Sequence, residues 1–174
     1  RCCLVLPSVA ENSLFFDIET TGFSAARTSL YLIGCAARKE NLLIVDQFFA
    51  ETPADESDVL HAFLDYLQNF DTIITFNGIG FDIPYLTNKC QKYKIPEPFS
   101  AYEYVDIYKM ISGFRFLFAL PNLKQKTVEQ FIGLEREDAY NGGELIDVYK
   151  ACQKNPDKKL ISLLKQHNRS EEHT

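Results

Sequence analysis

Asp17 and Glu19 stand two residues apart in Phe16-Asp17-Ile18-Glu19-Thr20-Thr21-Gly22, and an apolar run, Leu14-Phe15-Phe16, leads into them. Strand side chains alternate, so the two carboxylates leave a sheet on one face while Ile18 points to the other. Two anions at the end of an apolar strand are expensive to hold together unless a cation joins them. The pair therefore reads as a divalent-metal site, with a solvated strand end as the plain alternative.

A second signal is Thr75-Phe76-Asn77-Gly78-Ile79-Gly80-Phe81-Asp82-Ile83-Pro84-Tyr85-Leu86. An apolar strand ends at Phe76, and a glycine-rich turn delivers Asn77 and Asp82 to the strand end. Asp82 starts the next helix, with Pro84 in the first turn, where its missing N–H does no harm. Helix capping is the competing role for Asp82, but capping alone does not call for the Asn-Gly-x-Gly-Phe that precedes it. The third signal is His167-Asn168-Arg169-Ser170-Glu171. At i and i+4, His167 and Glu171 share a helical face, which taken alone also suits an acidic surface end.

Taken together, the three signals resemble the DEDD (DnaQ-like) exonuclease superfamily, over nearly the whole chain. Its members carry D-x-E on strand one, an Asn-to-Asp element after strand four, and a closing tyrosine or histidine ahead of an aspartate. The flavour is closest to the bacterial ribonuclease-H-like subgroup of predicted exonucleases. The resemblance implies two divalent ions, Mg²⁺ or Mn²⁺, as oxygen-only ligands suit. By position, Asp17 would bridge both ions, Glu19 would hold the one that activates water, and Asp82 would reach the second. Glu171 sits where the family has its last aspartate, and His167 is the candidate general base. Asn77 would meet a phosphate or ribose oxygen, Phe23 or Phe81 would stack a terminal base, and Thr20 and Gly22 complete the substrate-binding set.

The third motif departs from the family. Glu171 adds one methylene, about 1.5 Å, relative to aspartate, and Mg²⁺ is strict about octahedral geometry. Either the first metal is weakened, or the helix adjusts, or Mn²⁺ is preferred. The leading reading is a metal-dependent nuclease acting by water attack on single-stranded DNA or RNA, with 3′-to-5′ polarity implied by the resemblance alone. Against it stand a catalytically weak module that binds nucleic acid or a protein, and an enzyme for very short oligonucleotides.

These residues need a scaffold, and the pattern supplies one. Strands are expected at 13–19, 30–37 and 42–49 as an antiparallel meander, since short turns join antiparallel neighbours. A helix follows over 58–70, with apolar residues at 59, 60, 63, 64 and 67. A fourth strand at 72–76, a helix over 83–93 and a fifth strand at 101–105 come next. Asp106 is expected to cap a short helix, and helices over 123–132, 142–153 and from 156 onward close the chain. The whole is a mixed five-stranded sheet, three strands antiparallel and two parallel, flanked by helices: a ribonuclease-H-like α/β fold.

The 174 residues suit a single domain, 1–174, which is either whole or a fragment of a longer chain. No apolar run nears bilayer-spanning length, and the opening residues are too short for a secretory signal. Five cysteines with no CxxC pair suit a reducing cytoplasm and no disulfide-linked partner. A net charge of −6 argues against nucleic-acid binding by charge alone, although two divalent cations would offset most of it. The lysines at 89, 92 and 94, at 124 and 126, and at 158 and 159 read as solvated faces. Asp106, Glu144, Asp147, His61 and His173 are not expected to carry chemistry.

Overall fold

A computed structural model gives the backbone of residues 12–40, 42–134, 142–155 and 157–172, with side chains except at 142 and 170–172. The first strand, β1 (Ser13–Thr20), lies at the centre of a five-stranded sheet. Its alternate residues Leu14, Phe16 and Ile18 are buried on one face, as the period of two requires. Strands β2 (Leu30–Lys39) and β3 (Leu42–Phe49) extend the sheet antiparallel on one side of β1. On the other side β4 (Thr72–Thr75) and β5 (Glu103–Asp106) add in parallel, giving the order β3-β2-β1-β4-β5. The expected three antiparallel and two parallel strands are therefore present.

Helix α1 (Glu56–Leu67) connects β3 to β4, and α2 (Asp82–Tyr93) connects β4 to β5. Val59, Leu60, Phe63, Leu64 and Leu67 of α1 form one stripe, and with Tyr85, Leu86 and Cys90 of α2 they cover the Leu14–Phe16–Ile18 face. Short helices α3 (Ile107–Ser112), α4 (Arg115–Phe118) and α5 (Gln125–Phe131) follow β5. The opposite face receives α6 (Gly142–Lys154) and α7 (Lys158–Glu172), through Leu145, Tyr149, Cys152 and Leu164 against Tyr31 and Leu32.

One irregularity of β2 matters for the site. The register between β1 and β2 shifts between Glu19 and Thr20, so Tyr31 is inserted between the partners Leu30 and Leu32. A bulge of this kind turns a side chain out of strict alternation. Leu30 therefore packs in the first core, while Tyr31 and Leu32 both pack in the second.

Element boundaries move by a few residues from the sequence expectation, most at α1 and β5. Residues 99–101 form a 3-10 turn, so β5 starts later than expected. The Lys89 expectation fails outright: it is completely buried, while Lys92 is half exposed. Cys35, Cys90 and Cys152 are buried thiols. Cys2, Cys3 and His173 lie outside the described residues.

Candidate functional site

The pairing of β1 with β4 ends at Phe15 and Ile74, so β1 runs past its parallel neighbour. Three residues further on, the Ile18 amide donates to Asp82 Oδ1 at 3.2 Å. Asp82 is the first residue of α2, yet it makes no cap: the N-cap position is Phe81, with no side-chain cap bond. Its carboxylate, 4% exposed, instead reaches across to the one amide between Asp17 and Glu19. Two separate sequence motifs thus meet at one strand end.

Asp17 pairs with Gly34 and Glu19 with Leu32 across β2, which puts both carboxylates on the α6–α7 side of the sheet. Glu19 has two visible neighbours there. Tyr31 OH donates to its Oε2 at 3.3 Å, a reach made possible by the bulge. The Tyr31 ring stacks on Tyr149 of α6, with centroids 4.4 Å apart. His167 of α7 brings Nε2 to 3.7 Å from Glu19 Oε1. The expected general base thus faces a site carboxylate. Glu171 belongs to α7 one turn further on, and its side chain lies outside the described set.

The residue next to His167 explains how α7 is aligned. Asn168 is fully buried, and Gln47 of β3 donates through Nε2 both to Asn168 Oδ1 and to the Lys165 carbonyl, each at 2.8 Å. Sequence reasoning missed Gln47, which stands beside Asp46 in a strand whose other residues are all apolar.

The glycine turn after β4 is held from outside. Asp106, at the end of β5, accepts from Asn77 N at 3.0 Å, from Ile79 N at 3.1 Å and from Lys109 N at 3.1 Å. It caps α3 as expected, and it also fixes the turn that carries Asn77 toward Asp82. Asn77 itself is exposed, in the left-handed region at φ 65°. Gly78 has no room for a side chain, because a Cβ there would lie 2.5 Å from the Thr75 Cβ.

The loop after Glu19 is tied down in a similar way. A Cβ at Gly22, where φ is +153°, would lie 2.9 Å from Thr28 Cγ2. The Gly22 carbonyl accepts from both Thr20 Oγ1 and Thr28 Oγ1 at 2.9 Å. Thr28 Oγ1 also lies 3.0 Å from Tyr85 OH, whose pKa is pushed up to about 12 chiefly by burial, so that phenol stays protonated. Beneath this loop a buried ion pair joins α1 to α2. Lys89 Nζ lies 2.6 Å from Glu56 Oε1, and it donates to the Thr28 carbonyl at 2.5 Å. Phe23 projects from the loop, 92% exposed, and its ring meets Phe81 edge-on at 5.9 Å. The two aromatic residues expected to stack a base therefore adjoin each other beside Asp82.

Asp17, Glu19 and Asp82 are all oxygen donors, the ligand type that suits hard divalent cations. Among the described residues, no three His, Cys, Asp or Glu side chains close into a ready cage. Of the other residues set aside on sequence grounds, His61, Glu144 and Asp147 are exposed. Among the described residues no helix is long and apolar enough to cross a membrane.

Comparison with known proteins gives three findings. A family model described as RNase_H superfamily matches residues 14–172. A DNA polymerase of Pyrococcus glycovorans is 33% identical over 94 residues, covering 49% of this chain and 12% of that protein. The structure of the family B DNA polymerase from the hyperthermophilic archaeon Pyrobaculum calidifontis superposes with a TM-score of 0.73 at 18% identity, covering 91% of this chain and 23% of that one. At that identity the superposition speaks for the fold. The chain spans less than a quarter of either polymerase.

Proposed function

Since the chain belongs to the RNase_H superfamily and has a ribonuclease-H-like α/β fold, we propose that it is a metal-dependent nuclease, a 3′-to-5′ exonuclease of the DEDD type on single-stranded DNA or RNA. One observation carries the reading: the bond from the Ile18 amide to Asp82 brings a third carboxylate to the strand end that bears Asp17 and Glu19. The names of the two polymerase relatives support a nucleic acid as substrate. The polarity rests on the resemblance to DEDD exonucleases.

The proposed metal ligands are Asp17, Glu19, Asp82 and Glu171, holding two Mg²⁺ or Mn²⁺ ions. When bound, such ions lower the pKa of a water and neutralise the leaving oxygen. The chain's own part is positioning. Asp82 and the Ile18 amide fix the strand end, and Tyr31 orients Glu19. His167, across from Glu19, takes the proton of the attacking water. Asn77, Thr20 and Gly22 line the approach of the terminal nucleotide, and Phe23 with Phe81 offers a face for its base. In our reading residues 1–174 form one domain, and the free buried thiols suit a reducing cytoplasm.

A second reading has a specific observation in its favour. Glu19 is already engaged by Tyr31 and faced by His167, and the described carboxylates form no closed cage. A module that binds nucleic acid or a protein with little or no cleavage fits that arrangement. Degradation of 5′-labelled single-stranded DNA and RNA with Mg²⁺ or Mn²⁺, with Asp17→Asn alongside, separates the two. A stepwise ladder that vanishes in the variant supports the nuclease; intact substrate with retained binding supports the module.

A further inference from the structure

On the β5 side of Asn77 the surface opens into a cavity of about 650 Å³. That is the size of pockets that hold small organic ligands, about 300–1,000 Å³. It lies between the end of β4, helix α3 and the segment leading into α5. Phe76 and Tyr108 form one wall, their rings edge-on at 6.0 Å. Arg115 and Lys124, both exposed, line it as well, and among the described residues no carboxylate does.

Aromatic faces flanked by cations are how proteins hold single-stranded nucleic acid without reading its sequence: bases stack and phosphates meet the charges. Asn77 belongs both to the cavity wall and to the turn that delivers Asp82. A strand whose end lay at Asp17 and Asp82 would pass Asn77 to reach this cavity. Asp106, by holding the Asn77 and Ile79 amides, keeps the shared wall in place.

We propose that the cavity is a subsite for the nucleotides adjoining the scissile bond of a single-stranded nucleic acid, with Arg115 and Lys124 on its phosphates and a base against Phe76 and Tyr108. This rests on the nuclease reading for the position of the strand end. It makes the substrate longer than a dinucleotide, and it gives the acidic protein its phosphate-binding cations where they are needed.

The test uses fluorescein-labelled oligo-dT and oligo-U, as dinucleotides and octanucleotides, with Asp17→Asn protein for binding and the parent protein for cleavage. Octanucleotides should bind more tightly than dinucleotides, and Arg115→Ala/Lys124→Ala should weaken them about tenfold or more. The slope of log K against log salt should flatten by about 1.4, near 0.7 for each single-strand phosphate that the protein no longer neutralises. Tyr108→Leu should weaken binding about fivefold or more, because a base can no longer stack there, with the salt slope unchanged. Oligo-dT against oligo-U tells which sugar the cavity accepts. If the octanucleotide binds and the double variant releases it while the parent protein cleaves nothing, the subsite stands and the nuclease reading falls. If the parent protein cleaves both lengths equally and the double variant alters neither cleavage nor binding, the subsite is overturned and the nuclease reading stands.

Discussion

Asp82 Oδ1 accepts the Ile18 amide at 3.2 Å, a bond between residues 64 apart in sequence that fills the place β4 would take had it run further. Under the proposed function the carboxylate would have a chemical role beside this structural one, and the two can be separated. Asp82→Asn keeps a carbonyl oxygen for the amide, so stability should change by less than about 1.5 kcal/mol. Activity should still fall by at least the ~10–100-fold that follows loss of a metal-site partner. Asp82→Ala should in addition strand the buried amide, at about 1–3 kcal/mol. Urea denaturation beside the cleavage assay checks both; an Asp82→Asn protein as active as its parent removes Asp82 from the site.

Asp106 is the corresponding anchor on the β5 side. Its carboxylate takes three backbone amides, those of Asn77, Ile79 and Lys109. Asp106→Ala should lower stability by about 2–4 kcal/mol, since it removes an N-cap and strands two turn amides. The Asn77 turn loosens with it, so oligonucleotide affinity should drop in the same variant. Unchanged stability would mean that water satisfies those amides.

The order and type of the elements were readable because the face-setting patterns are local. Leu14, Phe16 and Ile18 alternate at period two, and Val59 through Leu67 recur at helical spacing. Asp17 and Glu19 sharing a face followed from the same alternation. What local pattern does not carry is which partner a polar group finds across the fold. Asp82 reads from sequence as a site residue with capping as the competing role, but its bond to the Ile18 amide beyond the short β4 has no mark there. Lys89 reads as a solvated charge because alone it would be one; its burial becomes tolerable only once it meets Glu56. The Tyr31 bulge, which brings a phenol to Glu19, has no mark in the sequence at all. The cavity at Arg115 and Lys124 joins residues 108–125 to Phe76 and Asn77 from some thirty residues earlier in the chain, a meeting that no local window shows.

Gln47 should act on the site through α7 without touching it. It holds the Lys165 carbonyl and Asn168 Oδ1, and His167 lies between those two residues on the helix. Gln47→Ala should lower stability by about 1–3 kcal/mol by leaving these acceptors unpaired, and it should reduce kcat through misplacement of His167. A double-mutant cycle with His167→Ala distinguishes this from general loosening. The two substitutions should be non-additive in activity, with a coupling of about 0.5–3 kcal/mol. Additive losses would show that His167 does not depend on this anchor.

Glu56 gives the protein a specific sensitivity to acid. Its carboxylate is 1% exposed and accepts from the Leu30 amide at 2.6 Å, from Lys92 at 2.9 Å and from Tyr93, with Lys89 paired at 2.6 Å. Burial alone would raise its pKa, but these partners outweigh it and hold the group below its ordinary 4.5. A carboxyl whose pKa is depressed on folding contributes stability that is fully present above the unfolded value and is lost as pH falls through the folded one. Stability should therefore hold near neutrality and decline below about pH 4.5, with Glu56 contributing to that limb. Glu56→Gln should be less stable near pH 7 by about 3–5 kcal/mol, because Lys89 is then left buried without its counter-charge. Its acid limb should also be shallower. Glu56→Leu/Lys89→Met removes both charges and should recover most of that loss, as apolar replacement of buried pairs often does. Stability measured by urea denaturation across this pH range decides the matter: equal acid limbs in the parent and Glu56→Gln would show that other carboxylates set the acid response. Recovery in the double variant with activity still low would place the Thr28 carbonyl, held by Lys89 in the loop behind Glu19, among the groups that position the site.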